Sequence, residues 1–163
     1  MIERYLGPLT LLAALGCGLI AGAFFAFSTF VMRALGRLQP PQGIAAMQSI
    51  NVVVINPLFM AAFLGTALLC AALAVSSLLT WQKPGAGYLL AGSLLYIAGT
   101  FLVTIVFNVP RNDALAAVDP ASAAGASLWA GYLTGWTAWN HVRTAAALAA
   151  AGLLTIGYRL SAP

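Results

Sequence analysis

The stretch YLGPLTLLAALGCGLIAGAFFAFSTFVM, residues 5–32, runs from Arg4 to Arg33 without a charged side chain. As an α-helix it would reach about 42 Å at 1.5 Å per residue, against about 30 Å for the hydrocarbon core of a bilayer. A secretory signal has an apolar region of only about 7–15 residues, so a retained membrane helix is expected over about 6–32. The rest of the chain agrees. Of 163 residues, 62% are hydrophobic and 6% charged, with a mean hydropathy of +0.96. Soluble domains carry about 25% charged residues. An all-α integral membrane protein of one domain follows, with the lipid bilayer as its first partner.

Three further spans extend from the first. The uncharged run between Arg37 and Lys83 holds one at 56–80, opening at Asn56-Pro57, where proline suits a helix's first turn. Another covers 86–109 and ends before Pro110. Only 15 uncharged residues separate Arg143 from Arg159, about 22 Å of helix. The last span must therefore begin near Trp136 and cover 136–158. The short connection WQKPGAG (81–87) makes its flanking helices antiparallel neighbours. The expected fold is a four-transmembrane-helix antiparallel bundle with both termini on one side. Connections 33–55 and 110–135 fall on the other, the motif side. The second of these, rich in Ala, Ser, Asp and Gly, reads as a loop with room for a short interfacial helix.

Other features narrow the reading. The net charge of +4 comes from scattered residues, which gives nucleic-acid binding no support. Cys17 and Cys70 lie at similar depths in apolar runs. They read as small buried hydrophobes, although a disulfide between them is geometrically conceivable. Ala14, Gly18, Gly22 and Ala26 recur every four residues, and Gly85, Gly92 and Gly99 every seven. Such ridges let helix backbones approach closely in lipid, either inside the bundle or in a homo-oligomer. With Arg111 and Arg143 set aside as site residues, Arg4, Lys83 and Arg159 on the termini side face Arg33 and Arg37 on the other. That excess leans toward cytoplasmic termini.

The strongly polar residues gather on the motif side, in FSTFVMR (27–33), NVVVINP (51–57), FNVPRNDAL (107–115) and WTAWNHVR (136–143). At 100° per residue, Trp136, Trp139, Asn140 and Arg143 share one helix face. His141 points about 100° away from Asn140, toward Thr137 and Thr144. If that face looks inward it meets Asn108 and a loop bearing Arg111, Asn112 and Asp113, with Asp113 the natural partner of Arg143 or Arg111. Plainer roles exist for each: a snorkelling anchor for Arg143, an aromatic belt for Trp136 and Trp139, a helix cap for Asn56, a packing residue in His141. A charge at mid-helix costs about 2.5–3.5 kcal/mol, however, and intramembrane polar groups usually face a cavity or each other. Their collection at one pole favours a pocket open to the motif side, walled by Trp136, Trp139, Phe107 and Phe27.

The chemistry available there is limited. One histidine and two nearby aspartates make a poor zinc or iron site, and there is no phosphate loop or carboxylate pair, so neither metal nor cofactor is expected. A haem with His141 as axial ligand stays open. The inventory suits a flat aromatic molecule, with His141 as base and Asn140, Asn108 and Arg143 holding an oxyanion. An electron-rich carbanion can react with dioxygen without a metal.

N-x-P-x-N-x-x-L (Asn108, Pro110, Asn112, Leu115) and W-x-x-W-N-H-V-R-T (Trp136–Thr144) resemble the paired motifs of the anthrone-oxygenase-like family, small four-helix membrane proteins. QSINVVVINPLFMAAFLGTALL (48–69) is similar to the family's second helix and GAFFAFSTFVM (22–32) to its first. Arg111 and Asp113 depart from the apolar or amide residues of the first motif. The fungal members oxidise anthrones to anthraquinones without a known cofactor. This sequence is more similar to bacterial members, which implies a bacterial inner membrane. Two functions stay open. One is a cofactor-independent oxygenase of a lipophilic phenolic, anthrone-like substrate. Its catalytic residues would be His141, Asn140 and Arg143, with Asn108, Asn112, Trp136, Trp139, Asn56, Arg111 and Asp113 binding substrate. The other is a non-enzymatic module that binds haem, quinone or lipid, or a subunit of a membrane complex. A transporter is disfavoured, because four spans make a narrow bundle without an internal repeat.

Overall fold

In lipid a backbone must satisfy its own polar groups, and the described residues do so with helices joined by short turns. The computed structural model describes residues 3–161. It contains α1 (Leu6–Leu35, preceded by a first turn from Glu3), α2 (Pro40–Val53), α3 (Pro57–Leu79), α4 (Ala86–Ala116) and α5 (Ala123–Ser161). All but α2 are long and apolar enough to cross a membrane. The expected four-span antiparallel bundle is what forms. The start of α1, the turn after α3 and the end of α5 meet at one pole, where the Ser161 hydroxyl donates to the Pro84 carbonyl (3.1 Å).

Local signals set the helix starts. Pro40 and Pro57 occupy first turns, where their missing N–H costs nothing. Asn56 accepts from the Phe59 N–H (3.0 Å). Gly85 adopts φ +85°, and a Cβ there would come within 2.7 Å of the Gly157 carbonyl, so the tight α3–α4 turn depends on glycine.

The bundle core is built around Cys17, Ile20, Cys70, Tyr96, Ala147 and Leu154. Both cysteines are free and buried, so they serve as small hydrophobes. The two glycine ridges have different fates. A Cβ at Gly99 would lie 2.5 Å from the Ala146 side chain, and one at Gly92 3.0 Å from Leu154, so that ridge seats α4 on α5. Gly18 and Gly22 have open space beyond them and face out of the chain.

Segment 110–135 departs from expectation. It is helical except around residues 117–122. Pro110 does not end α4, because it sits in the first turn of an α-helical segment that follows a π-helical turn, Thr104–Asn108. Its missing donor falls where the hydrogen-bond register is already shifted. Beyond it, α5 runs for 39 residues, about 58 Å, nearly twice the hydrocarbon thickness. The surplus lies at the motif pole. There α2, the ends of α1 and α4 and the start of α5 enclose a second core of Met32, Leu35, Ile44, Met47, Leu115 and Trp129. Gln48 ties it down by donating to the Leu115 and Val118 carbonyls (2.8 and 3.0 Å), at the end of α4, where the regular helical ladder stops.

Candidate functional site

Beneath this second core, three π-helical turns face α5: Phe27–Val31 on α1, and Ile97–Leu102 and Thr104–Asn108 on α4. Such turns are rare and often occur at functional sites. They bring Ser28, Thr100, Thr104 and Asn108, all buried or half-buried, to the α5 face carrying Trp136, Asn140 and Arg143.

Asn140 is fully buried. Its amide donates to the Phe24 carbonyl (2.6 Å) and the Ser28 hydroxyl (2.7 Å), and its Oδ1 accepts from Arg143 Nη2 (2.5 Å). Every polar atom of the side chain is engaged, so Asn140 positions Arg143 and has no free donor to offer a ligand. Arg143 is 4% exposed. It donates from Nη1 to the Thr104 hydroxyl (3.2 Å), and its Cζ lies 4.0 Å from the Phe24 ring centre and 5.0 Å from that of Trp136. No carboxylate faces it among the described residues. Its Nε is buried without a hydrogen-bond partner. One turn along α4 from Thr104, Asn108 is 1% exposed and donates to the Trp136 carbonyl (3.3 Å), while its Oδ1 is likewise unpartnered. Among the described residues this buried cation has no counter-charge and carries an unused donor of its own, while Asn108 on the facing helix carries an unused acceptor. An unpaired polar group in such surroundings costs about 1–3 kcal/mol, and more when charged.

The remaining predicted residues divide. Asn112 accepts from both the Tyr132 hydroxyl and the Trp136 indole (2.8 Å each), which anchors the aromatic run Trp129, Tyr132, Trp136. Phe27 packs beside Trp136, with ring centres 5.8 Å apart. Trp139 is half-buried and lies flat on Phe107, with ring centres 3.6 Å apart and planes 8° apart. Arg111 donates to the Phe107 carbonyl (2.6 Å) along the edge of the site.

Three residues lie outside the network. Asn56 is exposed and caps α3. Asp113 is exposed, and among the described residues it pairs with neither arginine, because the helical continuation of α4 turns it outward. His141 is also exposed, on the side of α5 away from Arg143.

On the motif side the α5 face of Trp136, Asn140 and Arg143 is buried under packed side chains, and an open cavity of about 360 Å³ there is bounded by Ser49, Ile50, Val53, Val54 and Asn56. The aromatic run and the second core cap the polar network. A cavity of about 580 Å³ lies at the opposite pole, between Thr10, Ser77, Lys83, Leu89 and Tyr158. Among the described residues no three histidine, cysteine or acidic side chains converge as metal ligands.

Sequence reasoning missed Phe24, Ser28, Thr104 and Tyr132. Serine and threonine are ordinary in such helices and carried no signal. Tyr132 did: Trp129, Tyr132, Trp136, Asn140 and Arg143 follow at spacings of three and four, one continuous helix face.

A family model described as Anthrone oxygenase matches residues 58–153, more than half of the chain, from α3 through the Asn108, Asn140 and Arg143 positions. No curated protein and no solved structure matches.

Proposed function

This chain belongs to the anthrone oxygenase family, and from that premise we propose that it is an integral membrane oxygenase of a lipophilic, anthrone-like phenolic substrate. The observation that carries the proposal is Arg143, a buried guanidinium with no facing carboxylate among the described residues and with an unused Nε–H. A substrate oxyanion supplies what that group lacks.

The reaction is R₂CH₂ + O₂ → R₂C=O + H₂O. Loss of a methylene proton leaves an enolate whose charge rests on the oxygen of the carbonyl across the ring. Arg143 stabilises that oxygen in a site screened from water, where a preorganised donor is worth about 10²–10³ in rate. The enolate passes one electron to dioxygen, and the two radicals join as a C–O–O bond. Protonation, O–O cleavage and loss of the second C–H hydrogen release water and leave the ketone. Asn140 holds the guanidinium in place. Asn108 Oδ1 accepts from a substrate hydroxyl, and the Trp136 and Phe24 rings hold the guanidinium in position. In this reading His141 has no catalytic role, since a base must come within hydrogen-bond reach of the proton it removes and His141 faces the other way. The guanidinium shifts the substrate's own ionisation, and the proton released is the one the peroxide anion later takes up. The charge excess on the termini side supports cytoplasmic termini in a bacterial inner membrane.

The test is oxygen uptake by detergent-purified protein with anthrone and a chelator, for wild type and Arg143→Met. Chelator-insensitive uptake that falls at least a hundredfold in the variant is expected. No uptake by folded wild type would remove the anthrone assignment and leave a module that binds a lipophilic anion or quinone.

A further inference from the structure

The Arg143–Asn108 network is sealed on most sides. Toward water at the motif pole stand the second core and the Trp129–Tyr132–Trp136 run. Toward α1, Asn140 makes short contacts to Phe24 and Ser28 (2.6 and 2.7 Å), with the Ser28 and Thr144 hydroxyls 3.4 Å apart beside them. Toward the bundle centre lies the ring cluster of Phe24, Phe63 and Phe101.

The α4–α5 seam is different. Nearer the pole Asn112 fastens it at 2.8 Å to Tyr132 and Trp136, but around Arg143 its polar contacts are longer: Thr100 to the Arg143 carbonyl and Arg143 to Thr104 at 3.2 Å, and Asn108 to the Trp136 carbonyl at 3.3 Å. Two of the three π-helical turns lie on its α4 side, where the regular hydrogen-bond ladder is interrupted. At the level of Asn108 the seam is closed by two half-exposed, parallel rings, Phe107 and Trp139. Exposed Val106 and Val142 flank them, on the surface of a membrane-spanning bundle. Of the four buried side-chain atoms without a hydrogen-bond partner among the described residues, two, Arg143 Nε and Asn108 Oδ1, belong to side chains that bridge this same seam.

We infer that Phe107 and Trp139 form a bilayer-facing slot. A flat, uncharged fused-ring molecule dissolved in lipid intercalates between them and brings its polar edge to Asn108 and Arg143. Parting two rings by one ring thickness, roughly 3.5 Å, lets the ligand stack on both and replaces one aromatic contact by two. The slot rests on the functional reading above only for the identity of the ligand.

The test uses protein in phosphatidylcholine nanodiscs titrated with 9,10-anthraquinone, with binding followed by tryptophan quenching and oxygen uptake with anthrone measured on the same samples. Trp139→Ala is expected to weaken binding about tenfold, with recovery in Trp139→Phe and no change in the lipid-facing control Leu148→Ala. Brominated lipids should quench wild type more than Trp139→Phe. Anthraquinone binding without oxygen uptake would support the slot and remove the oxygenase. Wild-type affinity in Trp139→Ala, no binding by wild type, or equal bromolipid quenching in Trp139→Phe would each overturn the slot.

Discussion

Arg143→Met separates a ligand-binding arginine from a structural one, because stability and activity are expected to part. The residue is 4% exposed and lacks a facing carboxylate among the described residues. Burying such an ion costs several kcal/mol even after relaxation. Against that stand its bonds to Asn140 and Thr104 and its contacts with the Phe24 and Trp136 rings. Methionine removes the charge and the donors together and fills much of the volume. What it leaves behind is Asn140 Oδ1 without a donor, about 1–3 kcal/mol, opposed by the desolvation no longer incurred. Thermal stability in detergent should therefore stay within about 2 kcal/mol of wild type. Oxygen uptake with anthrone should fall about 10²–10³-fold, the scale for a lost oxyanion donor, since Asn140 has no spare N–H to substitute. Arg143→Lys keeps the charge but loses the planar fork and should fall between the two. His141→Ala should keep its rate within about threefold, because general-base catalysis, worth about 10²–10⁴, needs a proximity this side chain lacks. A folded Arg143→Met enzyme with wild-type uptake, or a variant that fails to fold, would refute the reasoning; so would loss of uptake in His141→Ala.

Three further outcomes are expected. Asn140→Leu strips Arg143 of its closest partner and should destabilise the protein by about 3–5 kcal/mol; the double variant Asn140→Leu/Arg143→Met should recover most of this in a thermal-melting cycle, and simple additivity would contradict the coupling. Gly99→Ala drives a Cβ within 2.5 Å of Ala146 and should lower the melting temperature, whereas Gly18→Ala, with open space beyond it, should leave it unchanged or slightly higher; the reverse order would mean that the α1 ridge is the packed one. Asn56→Ala removes the α3 cap and should cost about 1 kcal/mol without changing uptake, while a large loss of turnover would return Asn56 to the site.

The helix count, the antiparallel order and the polar pole were legible because each rests on a property summed along the chain: uncharged length, turn length and the 3.6-residue period. The face of Trp136, Trp139, Asn140 and Arg143 was legible for the same reason, and so was the sideways direction of His141. Asp113 and the 110–135 segment misled because their states depend on neighbours. A proline after a regular α-turn would have stopped α4. After the π-helical turn at Thr104–Asn108 it continues the helix and swings Asp113 to the surface.

By itself, then, the sequence determined that four helices cross lipid and that their costly side chains lie at one end, since desolvation and backbone satisfaction act on every such chain alike. Only the tertiary structure decided which of those side chains are spent on one another. Asn140 and Asn112 are engaged by groups distant in sequence, on α1 in one case and α5 in the other. Arg143 Nε and Asn108 Oδ1 have no partner. Hydrogen-bond satisfaction is set by distances between helices, and those distances follow from how glycine ridges, π-helical turns and stacked rings pack, which no local pattern encodes.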